Sequence, residues 1–319
     1  MPRPAPTALP EVQPAGPGPE PRPRAAAGKM RLIFNCHSGR LHRNARLLAL
    51  LKNFIATRSL DAELLITERP GHATVLAREA VRLGCDRVVA IGGDGTVNEV
   101  AQALRSTPAV LAIVPTGSGN GLARHLGLPA AAAAALELAT AANVRVADLD
   151  TGTVNGRPFF NAMGLGLDAE ISRRFNRLTR RGLPAYLRTA LGAFLGSRTE
   201  SCVITAGGQT EAVEISLVAV ANSDQYGNGA RIAPGARADD GLLDLVAVGP
   251  VGPVGAVELG ARLFLGSFDR GRQVRRMRGP RFRIERSAPG IIHTDGEVHL
   301  ADALLEVVVH PRSLHIVVP

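Results

Sequence analysis

The first half of the chain alternates short apolar runs with longer amphipathic stretches. Four runs rich in aliphatic and β-branched residues predict buried strands at 31–34, 62–67, 88–91 and 110–114. The stretches between and after them have helical spacing, through about residue 57 and over 73–83, 97–104 and 130–142. Strands that alternate with helices in this way predict βαβ units, so residues 30–145 are expected to form an α/β domain with a parallel sheet.

The pattern changes after about residue 144. Alternating or short apolar runs predict strands at 146–154, 213–221, 242–248, 281–285, 304–309 and 314–318. Turn residues such as Asn155-Gly156 and Asp240-Gly241 separate several of them. Residues 146–319 are therefore expected to form a second, mainly antiparallel β-sandwich domain, with helical insertions near 169–195 and 255–265.

Residues 1–29 form a Pro- and Ala-rich tail with few large aliphatic side chains. Such a segment buries too little surface to fold and is expected to be disordered. It lacks the apolar core of a signal peptide. Met30 stands directly before the first predicted strand, which makes it an alternative translation start.

Composition narrows the classes of partner. The 319 residues carry a net charge of +9, with Arg in large excess, and contain no apolar run of about 18 residues. The Arg excess fits either a high-GC genome or an anionic partner such as lipid headgroups or nucleic acid. Aromatic residues make up only 3% and Trp is absent, which argues against a nucleic-acid partner that is read by base stacking. Three widely spaced Cys residues suggest neither disulfides nor a metal site, so a reducing cytoplasm is expected.

Two glycine-rich segments carry the candidate chemistry. Residues 92–98 (GGDGTVN) follow the third predicted strand, and residues 115–120 (PTGSGN) follow the fourth. Glycines allow close backbone approach, and a helix that begins there offers free N–H groups to a phosphate. One such segment could be an ordinary tight turn, but two on successive strands predict a nucleotide-phosphate site.

The familiar phosphate motifs are absent from both segments. The sequence contains no G-x-x-x-x-G-K-[ST], which excludes a Walker-type NTPase. A dinucleotide fingerprint would require glycine where Asn98 and Leu122 stand. These failures argue against a dehydrogenase.

Five segments in order resemble the diacylglycerol kinase and sphingosine kinase catalytic-domain family over roughly residues 30–318. They are 92–100, 115–124, 160–169 (FNAMGLGLDA), 232–244 (IAPGARADDGLLD) and 295–297 (DGE). The resemblance implies a phosphofructokinase/NAD-kinase-like nucleotide domain and a bacterial lipid kinase that uses ATP and Mg²⁺. The expected substrate is a membrane lipid with a free hydroxyl, of the diacylglycerol or sphingoid type.

The resemblance also implies roles for individual residues. The base that takes the hydroxyl proton corresponds to Glu297, with Asp295 beside it. Asp240 corresponds to the metal position, completed by backbone oxygens near Arg237 and Leu242. The residues expected to line the ATP site are Asn35, Ser38, Gly39, Arg40, Thr67, Gly92, Gly93, Asp94, Gly95, Thr96, Val97, Asn98, Gly117, Ser118 and Asn120.

Three positions depart from the family pattern. Cys36, which is followed by His37, stands where the family usually has Pro after Asn35, and Arg40 stands where some members carry Lys. Gly121 stands where the diacylglycerol-kinase branch often has Asp, which favours the sphingosine-kinase-like branch.

Some features keep two interpretations. His37, His293 and His299 are expected at the surface or in loops, since their spacing does not bring them together. Basic clusters at 173–181 and 270–278 are either solvated faces or a rim that docks on an anionic membrane surface. An NAD-kinase-like enzyme and a catalytically silent lipid- or nucleotide-binding protein remain the alternatives, and neither the acceptor nor the oligomeric state follows from the sequence.

Overall fold

The computed structural model describes residues 20–24, 28–36, 41–176, 188–189, 192–193, 199–226 and 229–319. Its first elements alternate as predicted. They are β1 (Arg22–Arg24), β2 (Met30–Phe34), α1 (Leu41–Thr57), β3 (Ala62–Ile66), α2 (His72–Arg82), β4 (Arg87–Gly92), α3 (Asp94–Leu104), β5 (Val110–Pro115), α4 (Gly121–His125) and α5 (Ala132–Thr140). Strands β5, β4, β2 and β3 lie side by side in that order, and all are parallel.

The second half is rich in antiparallel strands. Its elements are β6 (Val144–Val154), β7 (Arg157–Phe159), β8 (Ala162–Gly166), α6 (Leu167–Asn176), β9 (Glu200–Ala206), β10 (Gln209–Ile215), β11 (Leu217–Ala221), β12 (Leu243–Val248), α7 (Pro253–Leu265), a 3₁₀ turn at Phe268–Arg270, β13 (Val274–Gly279), β14 (Arg281–Arg286), β15 (Gly290–Thr294), β16 (Glu297–Ala301) and β17 (Leu304–Val318). One sheet has the order β13-β12-β11-β8-β15-β16, and it packs against β9, β14 and β17. The predicted combination of an α/β domain and a β-sandwich is confirmed.

Strand β17 connects the two halves. Its first part pairs antiparallel with β14, and its last part lies parallel to β5, where His315 is opposite Val110. Along most of its length it also pairs with β6, with an irregularity between His310 and Leu314. The predicted strands 304–309 and 314–318 are therefore one strand, and one continuous sheet crosses the predicted boundary at residue 145.

The parallel sheet is buried on both faces. Side chains alternate between the faces of a strand, so Val88 and Ala90 pack towards α2 and α3, whereas Val89 and Ile91 pack towards α1 and α5. This explains why β4 and β5 are unbroken apolar runs, as strands covered on both faces must be.

Two predictions need correction. The predicted strand 213–221 is two strands, because the chain passes from one sheet to the other at Ser216. The tail was expected to be disordered through residue 29, yet Arg22–Arg24 pairs antiparallel with β6. Residues 1–19 and most of the predicted insertion beyond Asn176 lie outside the described residues.

Candidate active site

Both glycine segments leave the sheet at the same edge, because Gly92 of β4 is paired with Pro115 of β5. Their backbones then touch. A Cβ atom added at Gly117 would lie 2.6 Å from the Cα atom of Gly93. The two loops therefore form one surface. The first backbone N–H groups of α3, which have no partners within their own helix, point towards this surface.

Asp94, the first residue of α3, ties the two loops together. Its Oδ2 atom accepts the backbone N–H of Asn120 at 2.8 Å, and its Oδ1 atom accepts that of Gly121 at 2.7 Å. The carboxylate thus caps the N-terminus of α4, where a negative charge is stabilising.

The second loop is closed by its own polar groups. Asn120 has a positive φ of 52°, and its side chain both accepts the Gly117 N–H at 3.1 Å and donates to the Gly117 carbonyl at 3.0 Å. Ser118 is exposed at the tip of this loop. Of these three predicted site residues, Ser118 is the one whose side chain is left to face a ligand.

The remaining predicted nucleotide residues divide into three groups. Asn35 donates to the hydroxyl of Thr96 at 3.0 Å, which joins the end of β2 to α3. Thr67 and Val97 are buried, so their side chains belong to the packed interior. Ser38, Gly39 and Arg40 lie outside the described residues.

Asp295 joins the two halves of the molecule. Its carboxylate accepts the backbone N–H groups of Phe160 and Asn161 at 2.8 Å each and of Ala162 at 2.9 Å. It also accepts the side-chain amide of Asn98 on α3 at 2.6 Å. Asn98 is thereby engaged with the protein and not aimed at a ligand.

These four donors decide what the carboxylate can do. Burial raises the pKa of Asp295, while the three backbone N–H groups oppose that rise. Since all four contacts donate to the carboxylate, they hold it as the anion and occupy its oxygens. Asp295 is therefore placed to brace the site, and it is poorly placed to take a proton from a substrate.

Glu297 has the opposite surroundings. Within the described part of the chain its carboxylate has no hydrogen bond or ion pair, although it lies close enough to Glu99 and Asp295 to feel their charges. The residue is exposed at its surface, yet desolvation by the surrounding protein, together with these like charges, raises the pKa of Glu297. Glu99 itself caps α2 by accepting the N–H groups of Gly71 at 2.9 Å and Ala73 at 3.0 Å.

The predicted metal set is already balanced in charge. The side chain of Asp240 is only 2% exposed and forms an ion pair with Arg278, while its Oδ1 atom accepts the Leu242 N–H at 3.1 Å. Arg237 is paired with Asp239 at 3.0 Å. The described residues contain no group of three or more His, Cys, Asp or Glu that could hold a metal ion. In this arrangement the Asp240 side chain is engaged with Arg278, and the metal role of Asp240, Arg237 and Leu242 stays a prediction.

One cluster of buried polar side chains was not predicted from the sequence. His293 was expected at the surface or in a loop, but it lies on β15 and is only 3% exposed. Its Nε2 atom lies 2.8 Å from Oδ2 of Asp168, which is 5% exposed. The Tyr226 hydroxyl donates to the same oxygen. We call these three residues the buried polar cluster. Two signals pointed to it, since Asp168 lies in a family-like segment and His293 stands two residues before Asp295.

Most of the described arginines of the two basic clusters are paired with acidic side chains of the protein. Arg276 and Arg278 pair with buried Asp244, and Arg275 pairs with Glu211. Arg173 and Arg174 both pair with Glu170 and lower the pKa of Glu170 to about 2. Arg177, Arg180 and Arg181 lie outside the described residues. Arg270 and Arg272 are exposed and, among the described residues, have no ion pair, whereas Arg275 is exposed but paired.

Across the described residues, no helix is both long and apolar enough to cross a bilayer.

Comparison with known proteins agrees with this geometry. The family described as "Diacylglycerol kinase catalytic domain" matches residues 29–153, and the "YegS C-terminal NAD kinase beta sandwich-like domain" matches residues 161–318. A probable lipid kinase YegS-like protein of Pseudomonas fluorescens is 31% identical over 264 residues, covering 81% of this chain and 86% of its own. Its counterpart in Pseudomonas putida is 31% identical over 262 residues, covering 80% and 84%.

A solved structure shows the same architecture. The crystal structure of a diacylglycerol kinase candidate from Bacillus anthracis str. Sterne superimposes with a TM-score of 0.75 at 26% identity, and covers 93% of this chain and 97% of that one. The chain therefore belongs to the kinase family defined by the diacylglycerol kinase catalytic domain together with the YegS-type β-sandwich domain.

Proposed function

We propose that this protein is an ATP-dependent lipid kinase that phosphorylates a hydroxyl of a diacylglycerol- or sphingoid-type lipid at the membrane surface. The observation that carries the proposal is Glu297, a carboxylate with a raised pKa and no side-chain partner in the described structure. It is held next to the loops that face the nucleotide, because Asp295 of the same turn is bonded to Asn98 of α3. The family of the chain and the names of its relatives support the reaction class.

The nucleotide would be held mainly by the backbone. The N–H groups at the start of α3 and the loop tip at Ser118 face the space in which the ATP phosphates would lie. Mg²⁺ that enters with ATP would neutralise phosphate charge, and we assign no residue of this chain to it.

Transfer requires one proton to move to the protein. We infer that a Glu297 oxygen takes the proton of the acceptor hydroxyl as the hydroxyl oxygen bonds to the γ-phosphorus. The bond between that phosphorus and the β-phosphate oxygen breaks, and ADP leaves with the electron pair. A raised pKa suits a base, because it strengthens the affinity of the carboxylate for the proton.

We propose that the membrane surface is contacted through α7 and not through the arginines that are paired with acidic side chains. Val254, Val257 and Leu265 follow helical spacing on α7 and are 84%, 72% and 77% exposed. Arg270 and Arg272, just beyond α7, are exposed and have no ion pair among the described residues. An apolar stripe beside uncompensated cations fits an anionic bilayer, where each surface cation contributes about 1 kcal/mol.

The exposed apolar side chains of α7 extend to a cavity beside the second glycine loop. Phe264 and Leu265 line a cavity of about 560 Å³ that also contacts Arg124 and Asn120. A lipid whose head leaves the membrane beside Leu265 would therefore meet the second glycine loop. This continuity supports α7 as the membrane-facing side of the site.

The proposal is tested by measuring transfer of radiolabelled phosphate from ATP to a panel of acceptors in mixed micelles. The panel holds diacylglycerol, sphingosine, ceramide and, for the NAD-kinase-like alternative, NAD. We expect one or more lipids to be labelled and NAD to remain unlabelled. Labelling of NAD alone, or of nothing, would contradict the proposal.

A matched pair of variants tests the base. Glu297→Gln should lose about 10²- to 10⁴-fold in kcat while keeping the KM for ATP. Glu285→Gln changes an exposed carboxylate on β14 that is paired with Arg283, and should keep wild-type turnover. A loss below threefold in Glu297→Gln would remove Glu297 from the role of base.

The membrane surface is tested with vesicles. Val254→Asp/Val257→Asp should bind anionic vesicles less tightly and keep activity on a short-chain soluble acceptor. Val75→Asp, an exposed apolar position on α2, is the control and should leave vesicle binding unchanged. Unchanged vesicle binding by the α7 double variant would exclude this surface.

A further inference from the structure

The turn that carries Glu297 is a tight β-hairpin. Thr294 and Glu297 are paired across β15 and β16, so Asp295 and Gly296 are the two central residues, with positive φ of 49° and 85°. This is the geometry of a type I′ turn, for which Asp-Gly is a favoured sequence. Since Glu297 directly follows the turn, the position of its carboxylate depends on what holds Gly296.

His293 holds Gly296 from within the fold. Its Nδ1 atom accepts the Gly296 N–H at 3.3 Å, so in the neutral ring the proton is on Nε2. Nε2 therefore donates to Asp168 at 2.8 Å. On the other side of the turn, the Asn176 amide donates to the Gly296 carbonyl at 2.7 Å.

Tyr226 completes the cluster. Its hydroxyl donates to Asp168, and its ring meets that of His293 edge-on, with centroids 6.2 Å apart. Gly164 of β8 leaves the necessary room, because a Cβ atom there would lie 1.9 Å from Oδ2 of Asp168. With two donors on its Oδ2 atom and little exposure, Asp168 is engaged inside the protein and acts on the ring that it faces.

We propose that the buried polar cluster of Asp168, Tyr226 and His293 is a positioning device for the catalytic base Glu297. The inference rests on the proposed function, in which Glu297 takes the hydroxyl proton. Tyr226 and Asp168 fix the tautomer and orientation of His293, and His293 fixes the turn through Gly296. Small displacements of a reacting group cost about 100-fold in rate per ångström, so a fixed turn acts on kcat.

Three substitutions separate the links of the cluster. Tyr226→Phe removes the hydroxyl donor and keeps the ring. His293→Gln keeps a donor towards Asp168 and loses the acceptor for Gly296, whereas His293→Asn keeps that acceptor. We expect each to lower kcat by about 10- to 100-fold with the KM for ATP within twofold of wild type, and His293→Asn to retain more of kcat than His293→Gln.

A matched control distinguishes positioning from general stability. His315 makes a similar contact with Asp148, at 2.7 Å, between β17 and β6 and away from the turn. His315→Gln removes a more exposed contact of the same kind, and should lower the melting temperature and leave kcat unchanged. Equal losses of kcat in the two variants, per folded enzyme, would overturn the proposal.

A double-mutant cycle connects the cluster to the base. If the cluster acts through Glu297, Tyr226→Phe should have no further effect on kcat in the Glu297→Gln background. A full additional loss in that background would overturn the positioning role. A normal kcat for Glu297→Gln alone would instead refute the proposed base, so the two failures are distinguishable.

Discussion

Asp94 offers the sharpest test of the nucleotide loops, because its carboxylate is what ties them together. Two backbone N–H groups, of Asn120 and Gly121, donate to it at 2.8 and 2.7 Å. A hydrogen bond to a charged group is worth about 1.5–3 kcal/mol. Asp94→Asn keeps one acceptor oxygen and loses the charge, whereas Asp94→Ala loses both bonds.

The free energy of these hydrogen bonds can be converted into an expected loss of kcat/KM. Each 1.4 kcal/mol is a factor of ten, so we expect kcat/KM for ATP to fall about 10- to 100-fold in Asp94→Asn. We expect a loss of about 10²- to 10⁴-fold in Asp94→Ala, since about 3–6 kcal/mol of loop tethering is removed. The overall fold should persist, because the tether joins two loops and leaves the sheet intact.

The assay is an ATP titration at saturating acceptor, with a thermal unfolding scan of each variant. Asp61→Asn is the control, because Asp61 is an exposed carboxylate at the amino end of β3, on the opposite edge of the sheet. An Asp94→Asn enzyme with kcat/KM within threefold of wild type would refute the tethering argument. So would equal losses in Asp94→Asn and Asp61→Asn.

Three further predictions follow from charge and packing. Glu99→Gln removes a like charge that raises the pKa of Glu297, so the acidic limb of the kcat–pH profile should move to lower pH; an unmoved limb would argue against Glu297 as base. Gly164→Ala forces a methyl group into the buried polar cluster and should destabilise the protein by about 1–3 kcal/mol in urea unfolding, so an unchanged midpoint would contradict the packing described. Asp240→Ala removes one of the two carboxylates paired with Arg278 and should cost about 1.5–3 kcal/mol of stability while the Mg²⁺ dependence of activity is unchanged; a selective loss of Mg²⁺ affinity would support the predicted metal role.

The sequence predicts the α/β half well because its signals are local. A strand covered on both faces must be a continuous apolar run, as β4 and β5 are. Glycines are required where two backbones touch, as they do at Gly93 and Gly117. The strands of the β-sandwich have weaker signals in the sequence. Strands such as β7 and β8 are short or glycine-rich, and only Ser216 separates β10 from β11, with no Gly or Pro to mark the sheet change.

The site shows the same division. The glycine segments and the Asp-Gly-Glu turn are visible as motifs, but contacts between distant side chains are not. Asn98 and Asp295 are 197 positions apart. Nothing in the sequence around either residue shows that the Asn98 amide will donate to the Asp295 carboxylate. Gly121, noted as a departure from the family pattern, has a structural reason, since a Cβ atom there would lie 2.8 Å from the Asn161 amide.

The path of β17 has a consequence for how the protein is made. During synthesis, β5 emerges long before the segment of β17 that pairs with it, since Val110 of β5 is opposite His315 of β17. Until then the sheet that carries both glycine loops has an open edge, and such edges invite pairing with other chains. Long-range closure of this kind is slow and prone to aggregation. We therefore expect a nascent chain that stops before β17 to need chaperone protection, and the nucleotide loops to become ordered only after the last strand has closed the sheet.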